Sequence, residues 1–341
     1  MSPSMTTTST PAAPETYDVV VIGGGAAGLS AALTLGRALR SVLVIDAGHP
    51  RNAPAAGAHN LLGNEGITPL ELIARGQDEA RSYGAHITTG TVTDVTGTVE
   101  DGFTVSLDAE APRTSRRGAP TPALAEAPAT VRARRIVLAS GAVDTLPPIP
   151  GLLERWGKDV IHCPYCHGYE VRGQQIGVLA TSPMWLHQAK LIRQWSDDVT
   201  VLLDSQPAPS AEDRAALESR GIRIVEGTVG RVLSADDRLT GVEVAGIDGP
   251  LPLEAILVGT QMSIDSALVT SLGLHTEENP MGEFVPVDMR KATNVPGVFA
   301  AGNVTSVGSM VAASMADGVM AGAALNMDLV EEDFAHALIP A

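Results

Sequence analysis

Residues 17–46 constrain the fold of this chain more than any other stretch. Tyr17-Asp18-Val19-Val20-Val21-Ile22 is a β-branched run of the kind that forms a buried parallel strand. Gly23-Gly24-Gly25-Ala26-Ala27-Gly28 follows directly and fits G-x-G-x-x-G. Leu29 to Leu39 reads as a helix rich in Ala and Leu, and Ser41 to Ile45 as a second strand ending at Asp46, 23 residues after Gly23. Each part has a physical task. Gly23 permits a tight turn, Gly25 lets a pyrophosphate approach the backbone, and Gly28 lets helix and strand pack closely. The helix N-terminus attracts phosphate, and Asp46 accepts from ribose hydroxyls. The register predicts a dinucleotide cradle of Gly23, Gly25, Ala26, Ala27, Gly28 and Asp46, set against the plainer reading of a glycine-rich turn without a ligand. The motif alone does not choose between FAD and NAD(P).

Composition narrows the partners. A length of 341 residues suggests two domains. A net charge of -16 argues against nucleic acid and anionic membranes, which need a cationic face. No apolar run approaches the roughly 18 residues of a spanning helix. Residues 1–15 are rich in Ser, Thr, Pro and Ala and lack the pattern of a signal peptide, so a disordered tail and a cytoplasmic location are expected.

The chain has two cysteines, in His162-Cys163-Pro164-Tyr165-Cys166-His167. A C-x-x-C pair closes a small disulfide ring, and its first thiol usually has a lowered pKa. Such a pair cycles between dithiol and disulfide and needs a two-electron partner. C-x-x-C-H is also the c-type haem attachment motif, but that use generally needs export. Zinc is a second rival, yet consecutive residues rarely converge tetrahedrally, and no second C-x-x-C or H-x-x-x-H exists; no metal is expected. A structural disulfide over so short a loop constrains little of the unfolded chain. His49, His59, His187, His275 and His336, with Trp156 and Trp195, read as surface or packing residues.

Asn294-Val295-Pro296-Gly297-Val298-Phe299-Ala300-Ala301-Gly302-Asn303 gives a turn, a short strand and a Gly-Asn pair. A helical stretch from about Met310 to Asn326 follows. This resembles the second FAD signature of two-dinucleotide-domain flavoproteins, and Arg135 to Ala142, with Gly141 at the strand end, resembles their Ala-Thr-Gly-Ala segment. The order of motifs from Thr16 to Leu329 resembles the thioredoxin reductase family. The resemblance implies an α/β fold of two Rossmann-like dinucleotide-binding domains and a homodimer. Residues 16–143 and 255–335 would form a discontinuous FAD-binding domain. Residues 144–254 would form an inserted NAD(P)-binding-like domain carrying the cysteines. It further implies that Gly302 and Asn303 hold the ribityl chain, with Asn303 in place of the usual Asp. The helix start at Val311 and Ala312 would point at the flavin, and Asn60 would lie near its ring. Glu110 to Thr130, rich in Pro, Ala and Arg, reads as a long loop.

Cys163-Pro164-Tyr165-Cys166-His167-Gly168-Tyr169-Glu170 departs from ordinary thioredoxin reductases, which have Asp after the second Cys. It resembles the branch that oxidises dithiols in small molecules, as in gliotoxin and holomycin biosynthesis. By that resemblance Cys166 faces the flavin, Cys163 exchanges with substrate, and His167 handles the proton. The second nucleotide unit reads as degenerate. After the strand Gln175 to Leu179 the three glycine positions hold Ala180, Ser182 and Trp185. The strand Val199 to Leu203 ends without an Arg cluster. NAD(P)H binding is therefore doubtful, and electrons are expected to run from a small-molecule dithiol to FAD and on to an acceptor such as dioxygen. The alternatives are a reductase fed by NAD(P)H or ferredoxin, and a non-catalytic flavin-based redox sensor.

Overall fold

The computed structural model describes residues 16–108 and 130–338. The expected tail 1–15, and all of the expected loop 110–130 except Thr130, lie outside them. Thr130 begins the strand Thr130–Leu138, the longest in the chain and the axis of a seven-stranded sheet. One edge pairs in parallel with Thr16–Ile22, which continues through Val42–Asp46 to His86–Thr89. The other edge is shared. Its first half pairs antiparallel with Gly102–Asp108 and its second half in parallel with Val298–Ala300. Nine residues allow that division, and it brings the chain's last strand beside its first motif.

The alternation of Thr16–Ile22 places Val19 and Val21 against one core and Val20 and Ile22 against another, as period-2 burial on both faces of a parallel sheet requires. Helix Ala26–Arg37 covers one face together with Val311–Ala337. Small residues let these two helices approach. A Cβ on Gly318 would lie 2.0 Å from the carbonyl oxygen of Ala27. The last helix runs past the expected end at Asn326 to Ala337. Its extension is tied down where Arg135 Nε donates to Asp328 (2.5 Å) and Arg40 Nη1 to Asp333 (2.8 Å).

A second, all-parallel sheet has the order Arg223–Val225, Val199–Leu202, Ile176–Leu179, Ala255–Val258, Val160–Ile161. The strand Ala255–Val258 runs past the expected division at residue 254, because it pairs inside this sheet between Ile176–Leu179 and Val160–Ile161. Val143–Thr145 and Gln261–Ser263 pair antiparallel where the chain enters and leaves that unit. We propose these two segments as the domain crossings. Among the described residues no helix is long and apolar enough to cross a membrane.

Candidate active site

A cleft of about 850 Å³ runs from the first glycine turn past the cysteines to helix Trp185–Ile192. Gly23, Gly25, Ala26, Ala27, Asp46, Gly141, Asn303, Val311, Cys163, Cys166 and His167 all stand in its wall. The cradle is built as its residue types require. Gly23 has φ +105°, and a Cβ there would meet the Ala139 carbonyl oxygen at 2.3 Å. A Cβ on Gly28 would lie 1.9 Å from the Gly23 carbonyl oxygen, so Gly28 serves packing and is not itself in the wall. A Cβ on Gly25 would meet nothing within 4 Å, because Gly25 faces the open cleft. Asp46 Oδ1 accepts from Gly24 N and Gly48 N, each at 3.2 Å, and fixes the turn. Gly302 has φ +82°, and its approach to Ala27 leaves 2.8 Å for an added methyl.

Asn303 has a different partner set from the one its position suggests. Its Nδ2 donates to the carbonyl oxygens of Ser306 (3.1 Å), Val307 (3.1 Å) and Ser309 (3.0 Å). The amide thus pins the loop before Val311–Ala337 and leaves Oδ1 as the acceptor toward the cleft. An Asp could not make these donations. Of the expected pair at the helix start, Val311 is in the wall while Ala312 is exposed and outside it. Only the backbone of Ala312 is available there, as one of the first-turn N–H groups without an intrahelical acceptor.

Asn60 stands beside the cysteine turn. It is exposed, outside the wall, and in the left-handed region (φ 60°), and its Nδ2 donates to the Tyr165 carbonyl oxygen at 2.9 Å. It braces the cysteine turn, and its neighbour His59, read from sequence as surface or packing, takes the place in the wall.

The cysteines flank the short helix Pro164–His167, with Cys163 at its N-cap. The Cys166 thiol donates to Cys163 Sγ at 2.7 Å. That bond, then the N–H groups of Cys166 and Tyr165 and the charge of Arg51, bring Cys163 down to about 7 against its burial. The same bond, with burial, pushes Cys166 far up. The reduced pair therefore holds one proton, on Cys166, and presents Cys163 as the thiolate. Burial lowers His167; Glu170 opposes that and His59 adds to it. Both His167 ring nitrogens are buried without a hydrogen-bond partner among the described residues.

Sequence reasoning missed Arg51 and Asp144. Arg51 donates from Nε to Asp144 Oδ2 (2.6 Å) and from Nη2 to Asp144 Oδ1 (2.8 Å), and from Nη1 to Val307 O (3.1 Å). Thr260 Oγ1, one residue before Gln261–Ser263, donates to Asp144 Oδ1 at 2.6 Å, so Asp144 is held from both sides. Arg51 Nη2 also stands 3.5 Å from His162 Nε2. Burial, then Arg51, holds His162 down to about 4, and its ring lies on Trp156. No local pattern marks these residues, because each acts through partners about 90 to 260 positions away.

In the second unit five residues, 180–184, separate strand from helix, against three, 23–25, in the first. This corrects the expected alignment. Trp185 opens the helix and its indole is core, while helix count places His187 where Gly28 stands. Ser182 packs on Gly259, where an added Cβ would lie 2.5 Å from Ser182 Oγ. Ser182 and Gly259 both stand in the cleft wall, and the second turn lacks the glycines of the first.

Comparison with known proteins agrees with this geometry. Residues 17–318 match the family model described as pyridine nucleotide-disulphide oxidoreductase. The chain belongs to the pyridine nucleotide-disulphide oxidoreductases. Within that family it is 31% identical to thioredoxin reductase tcpT of Claviceps purpurea, over 92% of this chain and 95% of that protein. It is 29% identical to thioredoxin reductase sirT of Leptosphaeria maculans, over 94% and 97%. The solved structure of HlmI superposes with a TM-score of 0.83 at 42% identity, covering 94% of this chain and 95% of that one. An oxidoreductase from Agrobacterium tumefaciens superposes at 0.81 with 35% identity, over 92% and 99%. The protein is a thioredoxin reductase-like, FAD-dependent disulfide oxidoreductase. The cradle fits that cofactor. Gly25 leaves room for a pyrophosphate, Asp46 and Asn303 keep free acceptor oxygens, and the cleft volume lies in the range of cofactor sites.

Proposed function

We propose that this oxidoreductase forms a disulfide in a small-molecule dithiol, with Cys163 and Cys166 as its redox pair. One observation carries the direction. The first nucleotide turn presents Gly25 to the open cleft, whereas the second has Ala180, Ser182 and His187 where phosphate-cradling glycines would stand, which supports electron entry from the dithiol side. The C-P-Y-C-H-G-Y-E sequence supports the reading, and the relatives named thioredoxin reductase tcpT and sirT support the thiol-disulfide chemistry it uses.

In the exchange, a substrate thiolate attacks Cys163 Sγ of the oxidised pair. The Cys163–Cys166 bond breaks, a mixed disulfide forms, and Cys166 leaves and takes a proton, as its raised pKa favours. The second substrate sulfur then attacks the first, closing the product ring and releasing Cys163 as thiolate. A leaving thiol near 7 departs readily at neutral pH. Two electrons pass from the substrate sulfurs to the pair. Of the two substrate protons, one stays on Cys166 and the other is released, with His167, a neutral imidazole, the group placed to take it. FAD, when bound, supplies the two-electron acceptor that returns the pair to the disulfide and hands electrons to an oxidant such as dioxygen. The homodimer implied by the family resemblance belongs to the same reading and is checked by sedimentation velocity.

The test is anaerobic reduction of the yellow protein. A dithiol should bleach the flavin rapidly, NADPH should bleach it poorly, and air should restore it with oxygen uptake. Cys163→Ser and Cys166→Ser should keep FAD and lose turnover. Rapid, saturable bleaching by micromolar NADPH would instead favour a reductase. Failure of any dithiol to sustain oxygen uptake would leave the sensor reading.

A further inference from the structure

The exchange leaves one proton behind His167, in a place with no direct outlet. Both ring nitrogens are buried without a hydrogen-bond partner among the described residues, so a proton taken there needs a carrier. Charged or titratable neighbours face His167 from three directions: Glu170 on its own segment, His162 on the near side of the cysteine turn, and His59 from the loop before helix Pro69–Ser82. His162 is itself buried and held neutral by burial and Arg51, so it leads nowhere. His59 is different. Its ring stands edge-on to that of His167, with centroids 6.2 Å apart and an interplanar angle of 87°. Its Nδ1 lies 2.7 Å from Glu65 Oε1 and its Nε2 3.6 Å from Glu170 Oε1. Glu65 is 64% exposed and Glu170 43%, so both carboxylates reach bulk water. His59 itself is 22% exposed and lines the cleft. The contact with His59 keeps Glu65 below the usual carboxylate range, as an anion able to stabilise an imidazolium. Glu65 Oε2 also accepts from Asn60 N at 2.9 Å, which fixes the loop.

We propose that His59, held by Glu65 and faced by Glu170, relays the surplus proton between His167 and water. The inference rests on the dithiol-oxidase reading and assigns His59 as a positioning residue that acts through His167. The balance is that of the exchange already given: two substrate S–H protons enter, one stays on Cys166, and the other passes from His167 through His59 to a buffer base. The rings stand too far apart for a direct hydrogen bond, so the relay includes one bridging water admitted from the cleft that both rings line. His59 receives the proton between His167 and the carboxylates of Glu65 and Glu170, and the proton departs from their exposed side.

The experiment uses the FAD-loaded protein, dithiothreitol as probe and oxygen uptake as readout, at low buffer concentration. His59→Ala should keep the flavin spectrum and melting temperature but lower kcat about tenfold or more, on the scale of a lost proton-transfer group. Added imidazole should restore the rate saturably, and so should a rising concentration of a buffer acid-base pair. Glu65→Gln should give a smaller loss and shift the acid limb of the kcat profile. Where His59→Ala loses flavin, His59→Gln replaces it in the same assays. A variant with the wild-type rate and pH profile at low buffer, or one whose loss neither imidazole nor buffer repairs, overturns the relay. The variants are also compared in acid-quenched exchange of the oxidised pair with dithiothreitol, which needs no acceptor. A failed oxidase reading therefore leaves this test standing, and equal exchange rates across pH 6 to 8 overturn the relay there too.

Discussion

Asn303→Asp, which would restore the residue usual in thioredoxin reductase-like flavoproteins, should damage this one. Asn303 Nδ2 donates to the carbonyl oxygens of Ser306, Val307 and Ser309 at 3.0–3.1 Å. A carboxylate would lose both N–H donors and set an anionic oxygen, in place of Nδ2, against three carbonyl dipoles. Two lost hydrogen bonds at about 1 kcal/mol each, plus about 1 kcal/mol or more for the exposed repulsion, give roughly 3 kcal/mol. In a melt that is a fall of roughly 5 °C. The loop 306–309 leads into Val311–Ala337, so FAD occupancy, read as the ratio of flavin to protein absorbance, should fall as well. The sign of the pH dependence follows from the surroundings. Carbonyl oxygens disfavour the ionised form, so the new carboxyl has a folded pKa above its unfolded value near 3.9. Its penalty is absent below that unfolded value, grows as pH rises, and is complete above the folded pKa. The variant should approach wild-type stability near pH 4 and fall short at pH 7. Wild-type melting and flavin content at pH 7 would refute the assignment of Asn303 as the donor that pins this loop.

Gly25→Val should fold with little loss of stability yet purify colourless, because its side chain projects into open cleft, whereas Gly28→Ala should lose about 2 kcal/mol or more of stability through its 1.9 Å clash with Gly23 O; paired melts and flavin spectra separate the two. Alkylation of the reduced protein by iodoacetamide should titrate with a midpoint near pH 7 at Cys163, and Arg51→Gln should move that midpoint upward, since it removes the neighbouring cation. His162, held down to about 4 by burial and Arg51, is neutral in the folded protein while the unfolded chain protonates near 6.5. Its contribution is therefore complete above about pH 6.5 and is lost as pH falls toward 4, up to about 3 kcal/mol, and His162→Phe should flatten the urea-stability profile over that window.

What the sequence by itself determined is local and periodic. The strand Thr16–Ile22, the glycine turn and the start of helix Ala26–Arg37 could be read directly, because a β-branched run, a close backbone approach and a helix start each require particular residues at adjacent positions. The redox pair was equally legible, since two thiols three apart meet in almost any turn. Tertiary structure decided what depends on distant partners. Helix Val311–Ala337 outruns its expected end because arginines nearly 200 and 300 positions earlier anchor its last turns. Ala255–Val258 belongs to the second sheet because its partners are Ile176–Leu179 and Val160–Ile161, a pairing no local pattern encodes. His59 stands in the cleft wall and Asn60 outside it, where its amide is held by the Tyr165 carbonyl 105 positions later. Arg51, Asp144 and Thr260 came together only when the fold brought residues 93 and 116 positions from Asp144 onto its one carboxylate. A charge or imidazole acts through space within a few ångströms, and sequence separation says nothing of that distance until the sheets have placed it.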